Sequence, residues 1–462
     1  MKRRLAATAT ALALAIPVVL TAAASTSEAE SSPLMTPVTA TGVLGGDAAY
    51  SLIRPSNWNG DLLVMPGRDD LDDTTVDWLT AHGFGVIGYD LSSPWDLESD
   101  RRNAGRAVAT FTMAAGKPDD IVVSGRSQGG LTTRIVAESR PEWLDGSVPM
   151  CGGGAGAISM WNYKLDTAFA LRELVDPQSG LQITRIDDAE REQAILDRLL
   201  ADASSTAAGR ARLVLAAALG RVPAVDPVTG KGIPDRDLAQ RTERYLAGFP
   251  FAVGASVRTG YESTVGGSFS WNTGVDYTRE LRTSGRWAEV VRAYRAAGAD
   301  LGQDLDTLAG AARMTADEDV VRFVEKTATF TGRLSAPVLT LHTTGDPGGP
   351  TTDEAAYAAS VRAGGSAGLL RQSFVGSEGH CTFTSAEEVT ALVTMFDRID
   401  DGRWPATSSR ALDRRAARVA TESSLDLGGA RFTSADQGER APRTWDSRDW
   451  GRYSSVGQSG RS

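Results

Sequence analysis

The sequence predicts an α/β protein: a mostly parallel sheet with helices on both faces. Three observations carry this. Short β-branched apolar runs alternate with helical segments before residue 150, and the same alternation returns after residue 336. The run Ile121-Val122-Val123 breaks through Gly125-Arg126-Ser127-Gln128-Gly129-Gly130 into a helix, the pattern of a strand, a sharp turn and a helix. Between the two alternating stretches lie roughly 175 residues of mainly helical pattern without a convincing strand, which reads as an insertion.

Taken in order, Tyr50 to Ile53 reads as a strand closed by Pro55 to Gly60, and Asp61 to Met65 as the next, turned by Pro66-Gly67-Arg68. A helix from Thr74 to Ala81 stops at His82-Gly83, and Gly85 to Tyr89 is again a strand. Arg101 to Ala115 is helical up to Gly116 and leads into the strand before Ser127; the helix that follows runs from Leu131 to Ser139 and is ended by Arg140-Pro141. Gly146 to Met150 is a strand running into Cys151-Gly152-Gly153-Gly154. The inserted helices are expected at Leu165 to Val175, Asp188 to Ala201, Ala207 to Leu219, Trp287 to Ala297 and Ala316 to Thr327, interrupted by a Gly/Ser/aromatic stretch from Gly248 to Tyr277. Strands resume at Pro337 to Leu341 and Leu369 to Val375, around a helix from Thr352 to Arg362, and a capping box at Ser385-Ala386-Glu387-Glu388 opens a last helix to Ile399. The expected division is thus a signal peptide (1–24), a flexible leader (25–41), a core first part (42–157), a helical cap (158–332), a core second part (333–405) and a polar, Arg-rich tail (406–462).

Residues 1–24 have a basic start, an apolar stretch from Leu5 to Leu20 and small residues at Ala22 to Ala24, the layout of a secretory signal cleaved near Ala24 or Ala29. No later stretch is apolar and long enough for a membrane span, so no stable membrane insertion is expected after cleavage. A formal charge of −10 and a pI near 5.1 argue against a nucleic-acid partner. Three scattered histidines form no metal-ligand cluster, and no G-x-G-x-x-G follows an early strand, so neither a metal nor a nucleotide cofactor is expected.

A serine hydroxyl is a poor nucleophile at neutral pH unless a base touches it and a carboxylate orients that base. With three histidines, elimination is possible. His82 sits at a helix end, and His342 at the end of a buried strand has the setting of a structural residue. His380, in Glu378-Gly379-His380-Cys381 after the last strand, is the candidate base. The carboxylate belongs at the end of the preceding strand, where Thr344-Gly345-Asp346-Pro347 supplies Asp346; a plain Asx-turn is the alternative role, and Asp353 and Glu354 look like first-turn helix residues. The order Ser127, Asp346, His380 is that of α/β-hydrolases. The tetrahedral intermediate needs two N–H donors, assigned to the backbone of Gln128, directly after the nucleophile, and of Arg68, in the early turn.

From Pro55 to Pro405 the chain resembles the secreted α/β-hydrolases of actinobacteria, a group spanning esterases and prolyl-aminopeptidase-like serine peptidases. The resemblance rests on Gly125 to Gly130, Val148-Pro149-Met150-Cys151-Gly152, Trp161-Asn162 with Leu165-Asp166 and Phe169, and Gly379-His380-Cys381. It implies the α/β-hydrolase fold, a helical cap and a Ser-Asp-His triad on Ser127, Asp346 and His380. Trp58-Asn59-Gly60 and His380-Cys381 are also similar to tannases and feruloyl esterases, where a cysteine precedes the nucleophile; here Arg126 occupies that place. The His-Gly usual at the oxyanion turn is Met65-Pro66-Gly67, and the Gly/Pro-rich motif of the aminopeptidase branch is absent.

The leading expectation is a secreted serine hydrolase of carboxylic esters acting on a small ester or a short peptide, with an aminopeptidase as runner-up and an inactive hydrolase fold used for binding as the reading from another class. The acidic run Asp69 to Asp73 offers either a lure for a substrate amine or a solvated loop. The cap should cover Ser127, with Trp161, Tyr163, Phe169 and the aromatics from Phe249 to Tyr277 lining a pocket or forming the cap's own core. Cys151 and Cys381, the only cysteines, are either a disulfide beside the histidine loop or two free thiols.

Overall fold

The computed structural model describes residues 35–435 apart from 70, 93 and 94. The expected signal peptide and the end of the tail lie outside the described residues. Val38–Val43 (β1) and Ala49–Arg54 (β2) pair as an antiparallel hairpin, and β2 lies antiparallel to Gly85–Tyr89 (β4). Asp61–Pro66 (β3) is parallel to β4 and to Asp120–Arg126 (β5); Gly146–Met150 (β6), Val338–Gly345 (β7) and Leu370–Glu378 (β8) extend the parallel set, and Phe432–Thr433 (β9) closes it antiparallel. The strand order is β1-β2-β4-β3-β5-β6-β7-β8-β9.

Central strands read as unbroken apolar runs because helices bury both of their faces. Leu62, Val64, Ile121 and Val123 pack under Leu97–Ala115 (α2) and Gln128–Ser139 (α3) on one face. Leu63, Met65, Val122, Val148 and Leu341 meet Asp73–Ala81 (α1) and Ser385–Asp400 (α14) on the other. The helix ends follow their sequence signals. Asp72 and Asp96 accept from the first-turn amides of α1 and α2, and Thr384 with Glu387 forms a reciprocal capping box on α14, one residue earlier than the expected one.

Between β6 and β7 stand Gly156–Val175 (α4), Ala189–Ser205 (α5), Ala207–Leu219 (α6), Leu238–Val253 (α7), Ala255–Val265 (α8), Tyr277–Thr283 (α9), Trp287–Ala297 (α10), Leu301–Gly310 (α11) and Glu318–Ala328 (α12). They share an apolar core of their own, built around α4 and α6, which buries Leu213, Val214, Leu215 and Leu219 beside its alanines. A buried polar knot adds to it: Arg241 and Arg286 both pair with Glu289, and Tyr245 donates to the same carboxylate at 2.6 Å. Thr352–Ala363 (α13) lies between β7 and β8.

Three expectations are corrected. The leader enters the sheet already at Val38, because β1 is an edge strand whose side chains alternate between exposed and half-buried and so lack an apolar signal. The stretch from Gly248 to Tyr277 is irregular only over residues 266–276; its first part is helical. The helix α7 runs through Pro250 in its last turn, and only the left-handed Gly254 separates it from α8. The expected tail begins as part of the body: Ser409–Thr421 (α15) packs Leu412, Ala416 and Val419 against α14, and β9 pairs with β8. No helix among the described residues is long and apolar enough to cross a membrane.

Candidate active site

Ser127 sits where β5 gives way to α3, with φ 52° and ψ −115°, a left-handed strained bend. The bend is possible because Gly125 and Gly130, on either side of it, carry no side chains. A Cβ on Gly125 would lie 2.5 Å from the Pro66 carbonyl oxygen, and one on Gly130 would lie 2.3 Å from that of Met150. The Ser127 amide donates to Met150 at 3.1 Å, which pins the turn to the end of β6.

His380 follows β8 and reaches back to this turn. Its Nε2 lies 2.8 Å from Ser127 Oγ, and its Nδ1 lies 2.6 Å from Asp346 Oδ2. A carboxylate only accepts, so Nδ1 carries the proton and Nε2 is free to accept from the serine. The loop is held by backbone: the Gly379 amide donates to Gly345, and Thr343 Oγ1 donates to the Gly379 carbonyl at 2.7 Å.

Asp346 makes both of the contacts the sequence left open. Oδ1 accepts from the Gly348 and Gly349 amides at 2.8 and 3.1 Å, an Asx-type turn, and this leaves Oδ2 for His380. Burial drives the carboxyl upward, but His380, His342 and the Gly348 amide outweigh it and hold its pKa below the ordinary range. His342, fully buried, donates from Nε2 to the Gly349 carbonyl at 2.7 Å and from Nδ1 to Glu354 at 3.2 Å, and stands 3.6 Å from Asp346. Burial opposes its protonation, yet the two carboxylates raise its pKa to about 9. Glu354, paired with the fully buried Arg134, is held near 2 against burial, while Asp353 is pushed up to about 7 chiefly by burial. Asp353 and Glu354 are indeed first-turn residues of α13, but both are buried, and Glu354 pairs with Arg134 and His342 beneath the site. His82 stays outside the site; its Nδ1 meets the Trp78 carbonyl at 2.7 Å at the end of α1.

Gln128 is the first residue of α3, where N–H groups lack intrahelical acceptors, and it lines the same cavity as Ser127. Arg68 is not free for the second oxyanion role: its amide donates to the Tyr89 carbonyl at 3.0 Å and its guanidinium pairs with Asp90. The turn after β3 is drawn onto β4 by this bond, a tertiary contact that the local sequence does not display. Arg126, which fills the place before the nucleophile, pairs with buried Glu388 on α14. Of the described residues of the acidic run, Asp72 caps α1 and Asp69 lies near Arg68.

A cavity of about 270 Å³ opens beside Ser127 and His380. Its walls from the inserted helices are Met160, Trp161, Lys164, Phe251 and Val257, so these helices lie over the serine. Phe251 stacks on the His380 ring at 4.6 Å between centroids, an approach that Gly348 permits because a Cβ there would meet the phenyl ring at 2.1 Å. Of the aromatics expected in a pocket, Trp161 and Phe251 line it. Phe169, Phe249 and Tyr277 instead form the insertion's own core, and Tyr163 does not line the cavity.

Cys151 and Cys381 are joined, with Cα atoms 5.6 Å apart and a sequence separation of 230. The bond ties the end of β6 to the residue after His380. By chain entropy a loop of this length is worth about 5 kcal/mol. Cys151→Ser with Cys381→Ser is expected to lower Tm by roughly 5 °C and, at 25 °C where the fold persists, to lower kcat by about tenfold as the His380 loop loses its register. Unchanged kcat in a folded double variant would show that the backbone contacts of Gly379 hold the loop unaided.

No protein-family model matches the chain. Among curated proteins it is similar to an o-phthalyl amidase of Xanthobacter agilis, 28% identical over 451 residues, covering 87% of this chain and 96% of that protein. Among solved structures it is similar to an esterase from Aspergillus oryzae, with a TM-score of 0.42 and 13% identity over 80% of each chain. It is also similar to Est1E from Butyrivibrio proteoclasticus, with a TM-score of 0.34 and 10% identity over 79% of this chain and 99% of that one. The strand order with β2 antiparallel, the serine turn after β5 and the helical insertion after β6 make this chain a member of the α/β-hydrolase fold.

Proposed function

We propose that the chain is a serine hydrolase of carboxylic esters and amides of small acids, acting through an acyl-enzyme on Ser127. The observation that carries this is the unbroken line Ser127 Oγ, His380, Asp346 on the floor of a largely apolar cavity. In this reading His380 Nε2 takes the Ser127 proton as Oγ attacks the carbonyl carbon, and Asp346 steadies the imidazolium. The Gln128 amide, at the positive end of α3, stabilises the oxyanion. His380 then returns the proton to the departing alcohol or amine, and a water repeats the cycle on the acyl-enzyme. The similarity to an amidase along nearly its whole length supports amides beside esters as substrates. An aminopeptidase reading is disfavoured by charge: Lys164 lines the cavity, and among the described residues no Asp or Glu lines it to receive a substrate's amino group. The basic start, the apolar run from Leu5 to Leu20 and the small residues at Ala22 to Ala24 support export, as does the disulfide.

The test pairs a fluorophosphonate probe with matched 4-nitrophenyl esters and 4-nitroanilides of acyl groups from acetyl to benzoyl. Expected are labelling that peptide mapping assigns to Ser127, and turnover of both classes, esters faster. A protein that hydrolyses neither class and leaves Ser127 unlabelled would instead be a binding protein on a hydrolase fold.

A further inference from the structure

We propose that Lys164 receives a carboxylate carried on the acyl part of the substrate, so that the reaction at Ser127 is directed to half-esters and half-amides of dicarboxylic acids. This rests on the serine-hydrolase reading above and adds the substrate class. Lys164 is 7% exposed on α4, and it lines the same cavity as Ser127 and His380. Its ammonium makes one hydrogen bond, to the Phe251 carbonyl at 2.6 Å, and among the described residues no carboxylate lies within ion-pair distance of it. Three donors with one acceptor leave two to be satisfied.

The surroundings of that charge are aromatic. Nζ lies 4.8 Å from the Phe251 ring centroid and 5.4 Å from that of Trp161, so aromatic faces rather than counter-ions stabilise it. Gly254, in the left-handed turn between α7 and α8, keeps the space open, since a Cβ there would stand 3.2 Å from Nζ. Phe251 touches both the ammonium and His380, so a single side chain separates the cation from the base. Burial lowers the Lys164 pKa to about 8; Asp346 and Asp353 raise it from a distance and Arg258 opposes them, and the group stays charged at neutral pH. Arg258 is itself satisfied by Glu262, Ser270 and the Trp161 carbonyl, so among the described residues near the cavity Lys164 is the cation with donors to offer a ligand.

A buried, unpaired ammonium is costly, and an incoming carboxylate recovers that cost through a charge-assisted hydrogen bond in an apolar enclosure. Neutral acyl groups of equal shape do not. The carboxylate belongs to the acyl part because a group that reaches a nine-tenths buried side chain must stay inside the cavity, whereas the leaving group has to depart before water attacks.

The experiment compares 4-nitrophenyl esters of succinyl and 3-carboxybenzoyl groups with those of their neutral isosteres, 4-methylpentanoyl and 3-isopropylbenzoyl. A third series places the carboxylate on the nitrophenyl leaving group of a butanoyl ester. The wild-type protein is expected to favour the carboxylated acyl esters by about tenfold or more in kcat/KM, and Lys164→Met to move that ratio about 100-fold toward the neutral ones. Lys164→Arg should restore part of the preference. A structural role for Lys164 alone would lower both members of each pair together and leave the ratio unmoved, which would overturn the proposal. A wild-type ratio near one, or a preference confined to the leaving-group carboxylate, would overturn it without any variant. If no ester is hydrolysed and Ser127 resists the fluorophosphonate, the serine-hydrolase reading falls first and takes this one with it.

Discussion

Replacing Ser127 by alanine is expected to abolish turnover, with a loss on the order of 10⁴ or more in kcat. Among the described residues the hydroxyl's hydrogen-bond partner is His380, at 2.8 Å. The strained backbone at this position is imposed by Gly125, Gly130 and the bond from the Ser127 amide to Met150, none of which the substitution touches. Alanine accepts the same φ no worse than serine. Melting temperature and circular dichroism should therefore match the wild type while hydrolysis and fluorophosphonate labelling both vanish. A variant keeping more than about a tenth of the activity would move the nucleophile elsewhere.

How far the sequence alone revealed this site depends on whether the cause was local. The turn at Ser127 was legible because the strain of the bend and the closeness of β6 exclude side chains at particular positions, and glycine marks those positions. His380 stood out in the sequence by scarcity, since His82 and His342 had competing structural explanations that the fold supports. What the sequence hid is tertiary. Nothing near Arg68 announces that its amide will be taken by Tyr89 from the neighbouring strand. Lys164 lies within an apolar helical stretch, where a single lysine ordinarily marks a solvated face; its burial follows from α4 running beneath the rest of the insertion. The edge strand β1 was invisible for the opposite reason, being too exposed to carry an apolar pattern.

Asp346→Asn is expected to cost about 10⁴ in kcat as well, through geometry rather than lost packing. Gly348 and Gly349 both donate to Oδ1, so the asparagine carbonyl must take that place and its NH₂ must face His380. Two donors then oppose each other unless Nδ1 gives up its proton. The imidazole would become the Nε2–H tautomer, which donates to Ser127 instead of accepting from it and so cannot act as the base. Stability should respond with a definite sign. The Asp346 pKa is lower folded than unfolded, so ionisation stabilises the fold above the unfolded value near 4, and this contribution fades as pH falls through the folded value. The gap in Tm between wild type and variant should therefore be widest at neutral pH and narrow in acid. The substitution also removes a negative neighbour of His342, which should titrate below its value of about 9. A loss of less than about tenfold would mean that another carboxylate orients the base. Asp353 is then the group to test, since it is buried beside Glu354 and neither of its oxygens is hydrogen-bonded.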